Sequence, residues 1–412
     1  MGIIQIYSKY TTKTKVNALL YAICTIIYVT AFCKDNIALS NHIPYTNYLG
    51  WICVAAIIFN SVGRAKIDKT RRKLLCPVLL FLFFTSFHVM SGYGSTIDKL
   101  MFLYLPCFVL LSEDNWLDAY RIFRSYVVIS CIIGIICYFS FVLSLGLPFN
   151  LESYYSERQV SSSYANYYLS LLYISTDGLR LCGVFHEPGI LGTVCAFLLV
   201  IDNLELKRKS NWIILIAMIL SWSMAAFLMV AAYFLLTSYN DRKRIWGIAI
   251  SIAIIVFVLP NIKTDNANIN HIIERFQIED NQFVGDTRSN DLIDNEFNQM
   301  YDDVSTFIFG HGAGYKEKLM QYSDQGVSTF KIFVLEHGWL GFILTNGLFF
   351  YFCIAFSKKN KYGIYLSLIW LLSLYGNDGK MYPQTLVLIV GGLTYLNEIH
   401  LIENNNTLQS NG

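Results

Sequence analysis

Apolar residues occur in long runs along most of the chain, and short polar or basic connections separate these runs. Runs of roughly 15 to 25 apolar residues match the length that a helix needs to cross about 30 Å of hydrocarbon. The predicted membrane helices occupy residues 16–33, 48–62, 74–91, 97–112, 126–147, 188–202, 211–237, 245–260, 332–356, 363–376 and 383–397. The pattern therefore predicts an all-α polytopic membrane protein.

The distribution of basic residues predicts the orientation of these helices. Twenty of the 31 Lys and Arg residues lie in the connections at 1–15, 64–73, 113–125, 202–210, 238–244 and 357–362. Basic connections are typical of the cytoplasmic side of a membrane. These six segments are therefore assigned to the cytoplasm, together with both termini.

The run at 211–237 is long enough for two short helices. Basic residues flank it on both sides, in LKRKS and DRKR. One crossing would place DRKR outside, whereas two crossings that turn near Ser221–Ser223 keep both flanks in the cytoplasm. Two crossings bring the total to about twelve spans; partial penetration of the membrane by two short helices is the alternative.

Composition agrees with a membrane protein. Hydrophobic residues make up 55% of the chain, aromatic residues 16% and charged residues 15%, which is more apolar than a soluble globular protein. Three lysines precede the first apolar run and no small-residue cleavage site follows it, so we expect an uncleaved first span. Most of the ten cysteines lie in apolar runs and show neither disulfide nor zinc-site spacing.

Two external loops are far longer than a connection between helices requires. The predicted segments are the spans of 1–147, a first loop at 148–187, the spans of 188–260, a large loop at 261–331, and the last spans and tail of 332–412. The first loop mixes Tyr, Leu and Ile with Ser, which predicts short strands or an interfacial helix on the membrane surface. Functional groups are expected in these loops.

The stretch RLCGVFHEPGILG, residues 180–192, leads into a predicted helix. Pro188 suits the first turn of that helix, because its missing N–H is not needed there. The helix start and Arg180 together make an electropositive spot beside His186 and Glu187. An anionic lipid headgroup would bind there; in the alternative interpretation, Glu187 complements the helix dipole and Arg180 anchors the chain at the interface.

The large loop carries twelve acidic residues and one predicted amphipathic helix. In DLIDNEFNQMY, the apolar residues on one helical face are Leu292, Ile293, Phe297, Met300 and Tyr301. This face should pack on the membrane domain. The preceding DTRSN brings Arg288 near the helix start, with Ser289 or Asn290 as the cap, and an anion would be attracted there.

Two further patches carry ionisable groups. FGHGAG, residues 309–314, is a glycine-rich turn without the Lys-Ser or Lys-Thr ending of a P-loop, and His311 within it is either a base or a turn residue with a satisfied hydrogen bond.

LEHGWLGF, residues 335–342, places Glu336 and His337 where a span begins, at a depth where ionisable groups are costly. Helical periodicity puts them on adjacent sides, so only one would face a cavity. Four charged residues near outer span ends are interpreted as interfacial: Asp98, Lys99, Asp378 and Lys380.

These patches resemble the bacterial O-antigen polymerases and the related O-antigen ligases and capsule or exopolysaccharide polymerases. RLCGVFHEPGILG is similar to the family's Arg, Gly, Phe, Glu-Pro-Gly pattern ahead of a span. DTRSN, the helix after it and FGHGAG resemble the arginine, amphipathic helix and glycine turn of the family's large loop. LEHGWLGF resembles the Glu-x-Gly-x-x-Gly motif at the start of the next span. The resemblance extends to the topology of most of the chain.

The resemblance implies a GT-C-like fold and an inverting glycosyltransferase that acts at the periplasmic face of the bacterial inner membrane. The donor would be a growing glycan on undecaprenyl pyrophosphate, and the acceptor a new lipid-linked repeat unit. Its partners would be these lipid-linked oligosaccharides, the lipid bilayer and a chain-length regulator protein, with no nucleic acid and no cofactor.

The resemblance also implies how the leaving pyrophosphate is stabilised. Arg180 and Arg288 are expected to bind it, because arginine binds phosphate bidentately and stays charged. Arg158 and His186 would support them. No metal is expected if these arginines neutralise the leaving group, although the acid-rich loop would suit a cation.

The acceptor hydroxyl must also lose a proton to a base within hydrogen-bond reach. Either Glu187 or His311 is assigned to this role, and Glu336 is expected to support catalysis more weakly.

Two other functions compete with a polymerase. The ligase pattern has a His-Asn pair ahead of the glycine that matches Gly338, where this chain has Ser328 and Thr329, so a polymerase is favoured over a ligase. A transporter or flippase would place charges and broken helices near the membrane midplane and show internal repeats. Here the predicted spans are poor in mid-membrane charge, the two halves show no clear repeat, and the polar residues gather in two unequal external loops.

Overall fold

The structure is a computed structural model. It describes residues 12–27, 52–53, 55–57, 59–60, 77–80, 111–155, 161–167, 170–175, 178–185, 187–238, 278–279, 282–283, 291–312, 314–320, 330–357, 361–374 and 383–399. Most of the described residues are helical, as the apolar runs predicted.

The helices are α1 (Thr12–Ile27), α2 (Glu113–Val142), α3 (Pro188–Ile201), α4 (Lys209–Leu220), α5 (Met224–Ser238), α6 (Asp291–Gln299), α7 (Val304–Phe309), α8 (Tyr315–Met320), α9 (Phe330–Phe356), α10 (Lys361–Ser373) and α11 (Pro383–Leu386). A 3-10 turn, Met300–Asp302, follows α6, and a π-helical turn, Val387–Gly391, continues α11. The strands are β1 (Asn150–Tyr155), β2 (Ser161–Asn166), β3 (Leu171–Ser175), β4 (Gly178–Gly183), β5 (Ile278–Glu279) and β6 (Gln282–Phe283).

Within the described residues, α2 and α9 are long and apolar enough to cross a membrane. At a rise of 1.5 Å per residue, α2 measures about 45 Å. The large apolar side chains that α2 leaves exposed along one stripe are Ile129, Ile132, Ile136 and Phe139. A contiguous exposed apolar stripe of this kind marks a surface that another apolar phase covers.

Helix α2 begins and ends earlier than predicted. It begins at Glu113 and ends at Val142, whereas the apolar run predicted a span at 126–147. The predicted boundaries were wrong because hydropathy does not show that a polar segment before the run is helical too. Glu113 and Asp114 in the first turn favour that early start, since negative charge stabilises a helix N-terminus.

The double-length run forms two helices, α4 and α5, and the break lies at Ser221–Ser223 as predicted. Helix α3 packs against both of them. Gly192 of α3 makes this packing close, because a Cβ there would lie 2.4 Å from the Cβ of Ser223. Helices α3, α4 and α5 are about 21, 18 and 22 Å long, and each is shorter than the hydrocarbon core.

The all-α prediction is wrong for the first loop, where strands β1 to β4 form a four-stranded antiparallel sheet in the order β1-β2-β3-β4. For the first loop, the interpretation as short strands is confirmed. Tyr173 of β3 pairs with Tyr164 of β2 on one side and with Arg180 of β4 on the other. Strand β4, which contains Arg180, also contacts α3, and Glu187 lies at the N-cap of that helix.

By their contacts, the residues form two compact units. The first consists of Met1–Ile129, Leu344–Leu366 and Met381–Gly412, and the second of Ser130–Ile343 and Ser367–Lys380.

In the first unit, an ion pair joins Arg121 to Glu398 at 2.7 Å. Gly391 lies against Tyr120, and a Cβ at position 391 would come within 2.6 Å of that side chain.

In the second unit, the buried thiols of Cys131 and Cys195 lie 3.9 Å apart between α2 and α3. They are free thiols, as the sequence predicted for cysteines in apolar runs.

Candidate functional site

Helix α9 contains a sharp break at Gly338, where φ is 66° and ψ is 175°. These angles interrupt the helical hydrogen bonds, and glycine adopts them without steric cost. The break separates a short helical segment at 330–337 from a long one at 339–356. The last carbonyl groups of the short segment are therefore available to partners from outside the helix.

The glycine turn at 310–314 supplies those partners. The backbone N–H of His311 donates to the carbonyl of Leu335 at 2.8 Å, and that of Gly312 donates to the carbonyl of Glu336 at 2.9 Å. The N–H of Gly314 donates to Oε1 of the Glu336 side chain at 3.1 Å. Three backbone donors of the turn thus bind the end of one helical segment.

Two glycines allow this contact at backbone distance. A Cβ at Gly310 would lie 2.5 Å from the carbonyl oxygen of Glu336 and from the nitrogen of Gly338, and a Cβ at Gly338 would lie 2.1 Å from the carbonyl oxygen of Ile308. Both glycines have positive φ. The turn and the break therefore fit together only while both residues lack a side chain.

The predicted amphipathic helix is α6, and its apolar face packs beneath this contact. The buried residues of the shared core are Ile293, Met300, Leu319, Ile332, Val334 and Leu335. Leu292 and Phe297 are partly buried against it. Tyr301, in the 3-10 turn after α6, is 50% exposed, and its ring packs against that of Phe297 with centroids 5.8 Å apart.

An ion pair fixes α6 to the start of α9. Nζ of Lys331 lies 2.6 Å from Oδ1 of Asp294, and the same ammonium group lies 5.9 Å from the centre of the Phe297 ring. The ammonium group of Lys331 thus has an acidic partner and an aromatic one.

His311 is exposed, and its ring stacks on Tyr315 with centroids 4.1 Å apart and an interplanar angle of 18°. The hydroxyl of Tyr315 donates to Oε2 of Glu296 at 2.6 Å. Partial burial lowers the pKa of His311; Lys318 lowers it further, whereas Glu296 and Asp303 oppose this shift. The neutral imidazole, which can accept a proton, is therefore the dominant form at neutral pH.

Glu296 and Tyr315 did not emerge as site residues from the sequence. The amphipathic pattern drew attention to the apolar face of α6, and Glu296 lies outside that set. Nineteen positions separate Glu296 from Tyr315, and no local spacing rule connects residues so far apart.

Arg180 lies at the turn between α4 and α5. Its Nε donates to the carbonyl of Ser221 at 3.1 Å, and its Nη2 donates to the carbonyl of Trp222 at 3.2 Å. Trp222 has a positive φ of 50°. The guanidinium group therefore stabilises the end of α4, where helix carbonyls carry partial negative charge.

Glu187 occupies the N-cap position of α3, with extended backbone angles and no capping hydrogen bond from its side chain. Its side chain is exposed. Pro188 occupies the first helical position, as the sequence predicted. Burial raises the pKa of Cys182, and the charges of Arg180 and Glu187 act on that thiol in opposite directions.

The predicted site residues fall into two described groups. His311 and Glu336 are brought together through the glycine turn, and Arg180 and Glu187 lie around the start of α3. Arg158, His186 and Arg288 lie outside the described residues, as do the cap positions Ser289 and Asn290 and the four charged residues interpreted as interfacial. Within the described part of the chain, His, Cys, Asp and Glu residues form no cluster of three or more that could hold a metal ion.

Glu336 is buried and binds the turn through both its backbone and its side chain. We expect Glu336→Gln to keep activity within about threefold of the wild type, because the amide oxygen still accepts from Gly314. Glu336→Leu should destabilise the contact by about 1–3 kcal/mol, because a donor loses its acceptor. Thermal unfolding and turnover of both variants would check this; loss of turnover in the well-folded Gln variant would instead make the carboxylate a catalytic group.

Comparison with protein-family models, with curated proteins and with solved structures gives no match to this chain.

Proposed function

We propose that this protein is a surface-polysaccharide polymerase of the O-antigen type, an inverting glycosyltransferase that joins repeat units carried on undecaprenyl pyrophosphate. The proposal includes a bacterial inner-membrane location, about twelve spans, cytoplasmic termini and a site that faces the periplasm. The long apolar helices α2 and α9 support the membrane part of it.

One observation carries the proposal. The glycine turn FGHGAG and the LEHGWLGF motif lie in different sequence segments. They pack together through three backbone donors of the turn, which bind the carbonyls of Leu335 and Glu336 and the side chain of Glu336. The predicted amphipathic helix packs under the same contact. Two of the three patches on which the family resemblance rests thus form one structural element.

The reaction has two requirements, stabilisation of the leaving pyrophosphate and removal of the hydroxyl proton, and different residues are proposed for each. A hydroxyl oxygen of the acceptor sugar attacks the anomeric carbon of the donor, the bond from that carbon to the pyrophosphate oxygen breaks, and the electron pair leaves with the pyrophosphate. Arg180 and Arg288 stabilise the developing negative charge. The hydroxyl proton passes to a base, for which we favour the exposed imidazole of His311, with Glu187 as the alternative.

The test is polymerisation by the purified protein in nanodiscs. The substrate is one lipid pyrophosphate-linked repeat unit, without nucleotide or added metal, and the product is read as glycan length on a gel. A ladder of lengths would establish the polymerase. Transfer only to added lipid A core would make the protein a ligase, and passage of the substrate across sealed vesicles without a new bond would make it a transporter.

A further inference from the structure

Tyr315 and Glu296 lie next to His311 and have no role in the reaction described above. The imidazole lies flat on Tyr315, and the hydroxyl of Tyr315 is bound to Glu296. One end of the tyrosine is thus fixed by a carboxylate, while its face supports the histidine. The backbone of His311 is held separately, by Leu335.

We infer that Tyr315 and Glu296 are positioning residues for His311: the tyrosine ring orients the imidazole, and the carboxylate holds the tyrosine and stabilises the imidazole once it has accepted a proton. The inference rests on the proposed function, because it deepens the role of His311 as the base.

The stacking geometry determines where the imidazole can act. With an interplanar angle of 18°, both ring nitrogens lie in a plane nearly parallel to the tyrosine ring. They therefore point sideways from the stack and not into it. The exposed imidazole can reach a sugar hydroxyl along its edge, while rotation about its side-chain bonds would break the stack.

The stabilisation of the protonated imidazole is electrostatic. Accepting a proton turns His311 into a cation, which the face of an aromatic ring attracts and a nearby carboxylate stabilises. The charged groups that act on His311 are Glu296 of α6, Asp303 before α7 and Lys318 of α8, and the carboxylate of Glu336 in α9 binds the same turn. Lys318 opposes Glu296, and its ammonium group lies 5.8 Å from the centre of the Tyr315 ring.

Because Glu296 and Lys318 act on the pKa of His311 in opposite directions, substituting each of them tests the inference. Glu296→Gln removes a negative charge and should lower the pKa of His311, whereas Lys318→Gln removes a positive charge and should raise it. Glu205→Gln, which changes an exposed carboxylate on a different loop, is the matched control and should leave the pKa in place. A general disturbance of the fold would not move the pKa in opposite directions in the two variants.

The measurement is an NMR titration of histidine-labelled protein in nanodiscs. The chain has seven histidines, and His311→Gln identifies the signal that belongs to His311. Tyr315→Phe keeps the stacked ring but removes the donor to Glu296, and Tyr315→Leu removes the stack. An unchanged pKa of His311 in both charge variants would overturn the inference, whether or not the protein polymerises glycans.

The pH profile of polymerisation tests whether Tyr315 and Glu296 affect the function of His311 as the base. The neutral imidazole is the active form of a base, so the rate should rise as pH increases through the pKa of His311. Glu296→Gln should move this rise to lower pH and reduce the plateau about tenfold, because a weaker base accepts the proton less readily; Lys318→Gln should move it to higher pH. Tyr315→Leu should reduce kcat with little change in KM.

Failure of the inference differs from failure of the proposed function. If the wild-type protein makes no ladder, the proposed function is wrong, and the titration still decides whether Glu296 acts on His311. If the ladder forms and the pKa values shift but the pH profile does not follow them, His311 is not the base and the inference is overturned while the polymerase stands.

Discussion

Replacing Gly338 with alanine should detach the glycine turn from α9 and abolish polymerisation. The added Cβ would lie 2.1 Å from the carbonyl oxygen of Ile308 and 2.4 Å from its carbonyl carbon, and backbone atoms cannot rotate away as a side chain can. The residue also needs a φ of 66°, which strains alanine. Overpacking and backbone strain together should destabilise the contact by about 3 kcal/mol.

Gly347 provides the control within the same helix. A Cβ at that position meets no atom within 4 Å, and the residue is helical and exposed, so Gly347→Ala should match the wild type or be slightly more stable. Limited proteolysis at residues 310–320 would report detachment of the turn, and the nanodisc assay would report activity. A Gly338→Ala protein that resists cleavage and polymerises normally would show that the contact does not organise the site.

Parts of the fold were predictable because they follow from local rules. Pro188 begins α3 because proline fits the first helical turn. The break at Ser221–Ser223 followed from charge, since basic residues on both sides of one apolar run require an even number of passes. Neither inference needed knowledge of what these helices contact.

The four-stranded sheet of the first loop does not follow from local rules of this kind. Strand β2 is largely Ser, Tyr and Ala, with no strong alternation of apolar and polar residues. Its position depends on pairing with β1 and β3, and such pairing is a tertiary property. The sequence therefore left strands and an interfacial helix as alternatives.

The sequence identified residues of the candidate site, but it did not show that the glycine turn contacts α9. Glu336 stood out because ionisable groups at the start of a span are costly, and His311 because it lies in a glycine-rich turn. The apolar run at 332–356 indicated one continuous helix, and nothing in its periodicity revealed the break at Gly338. Without that break, the carbonyls of Leu335 and Glu336 would bond within the helix and could not accept from the glycine turn.

Replacing Arg180 with alanine should abolish polymerisation while the protein still inserts in the membrane, and Arg288→Ala should do the same. Removing the guanidinium charge should slow turnover by about a hundredfold or more, because preorganised charge at a leaving group contributes heavily to catalysis. For Arg180 the structure adds a second effect. The carbonyls of Ser221 and Trp222 lose donors, which should cost about 1–3 kcal/mol of stability.

Arg180→Gln and Arg180→Lys separate these two effects. Glutamine keeps a donor for the turn carbonyls without the charge, and lysine keeps the charge without the planar arrangement of donors that binds phosphate bidentately. If pyrophosphate binding is the main role, both variants should fold normally, as judged by thermal unfolding, and should polymerise poorly. Full turnover by Arg180→Gln would remove this arginine from the chemistry and leave it as a support for the end of α4. Pyrophosphate stabilisation would then depend on Arg288.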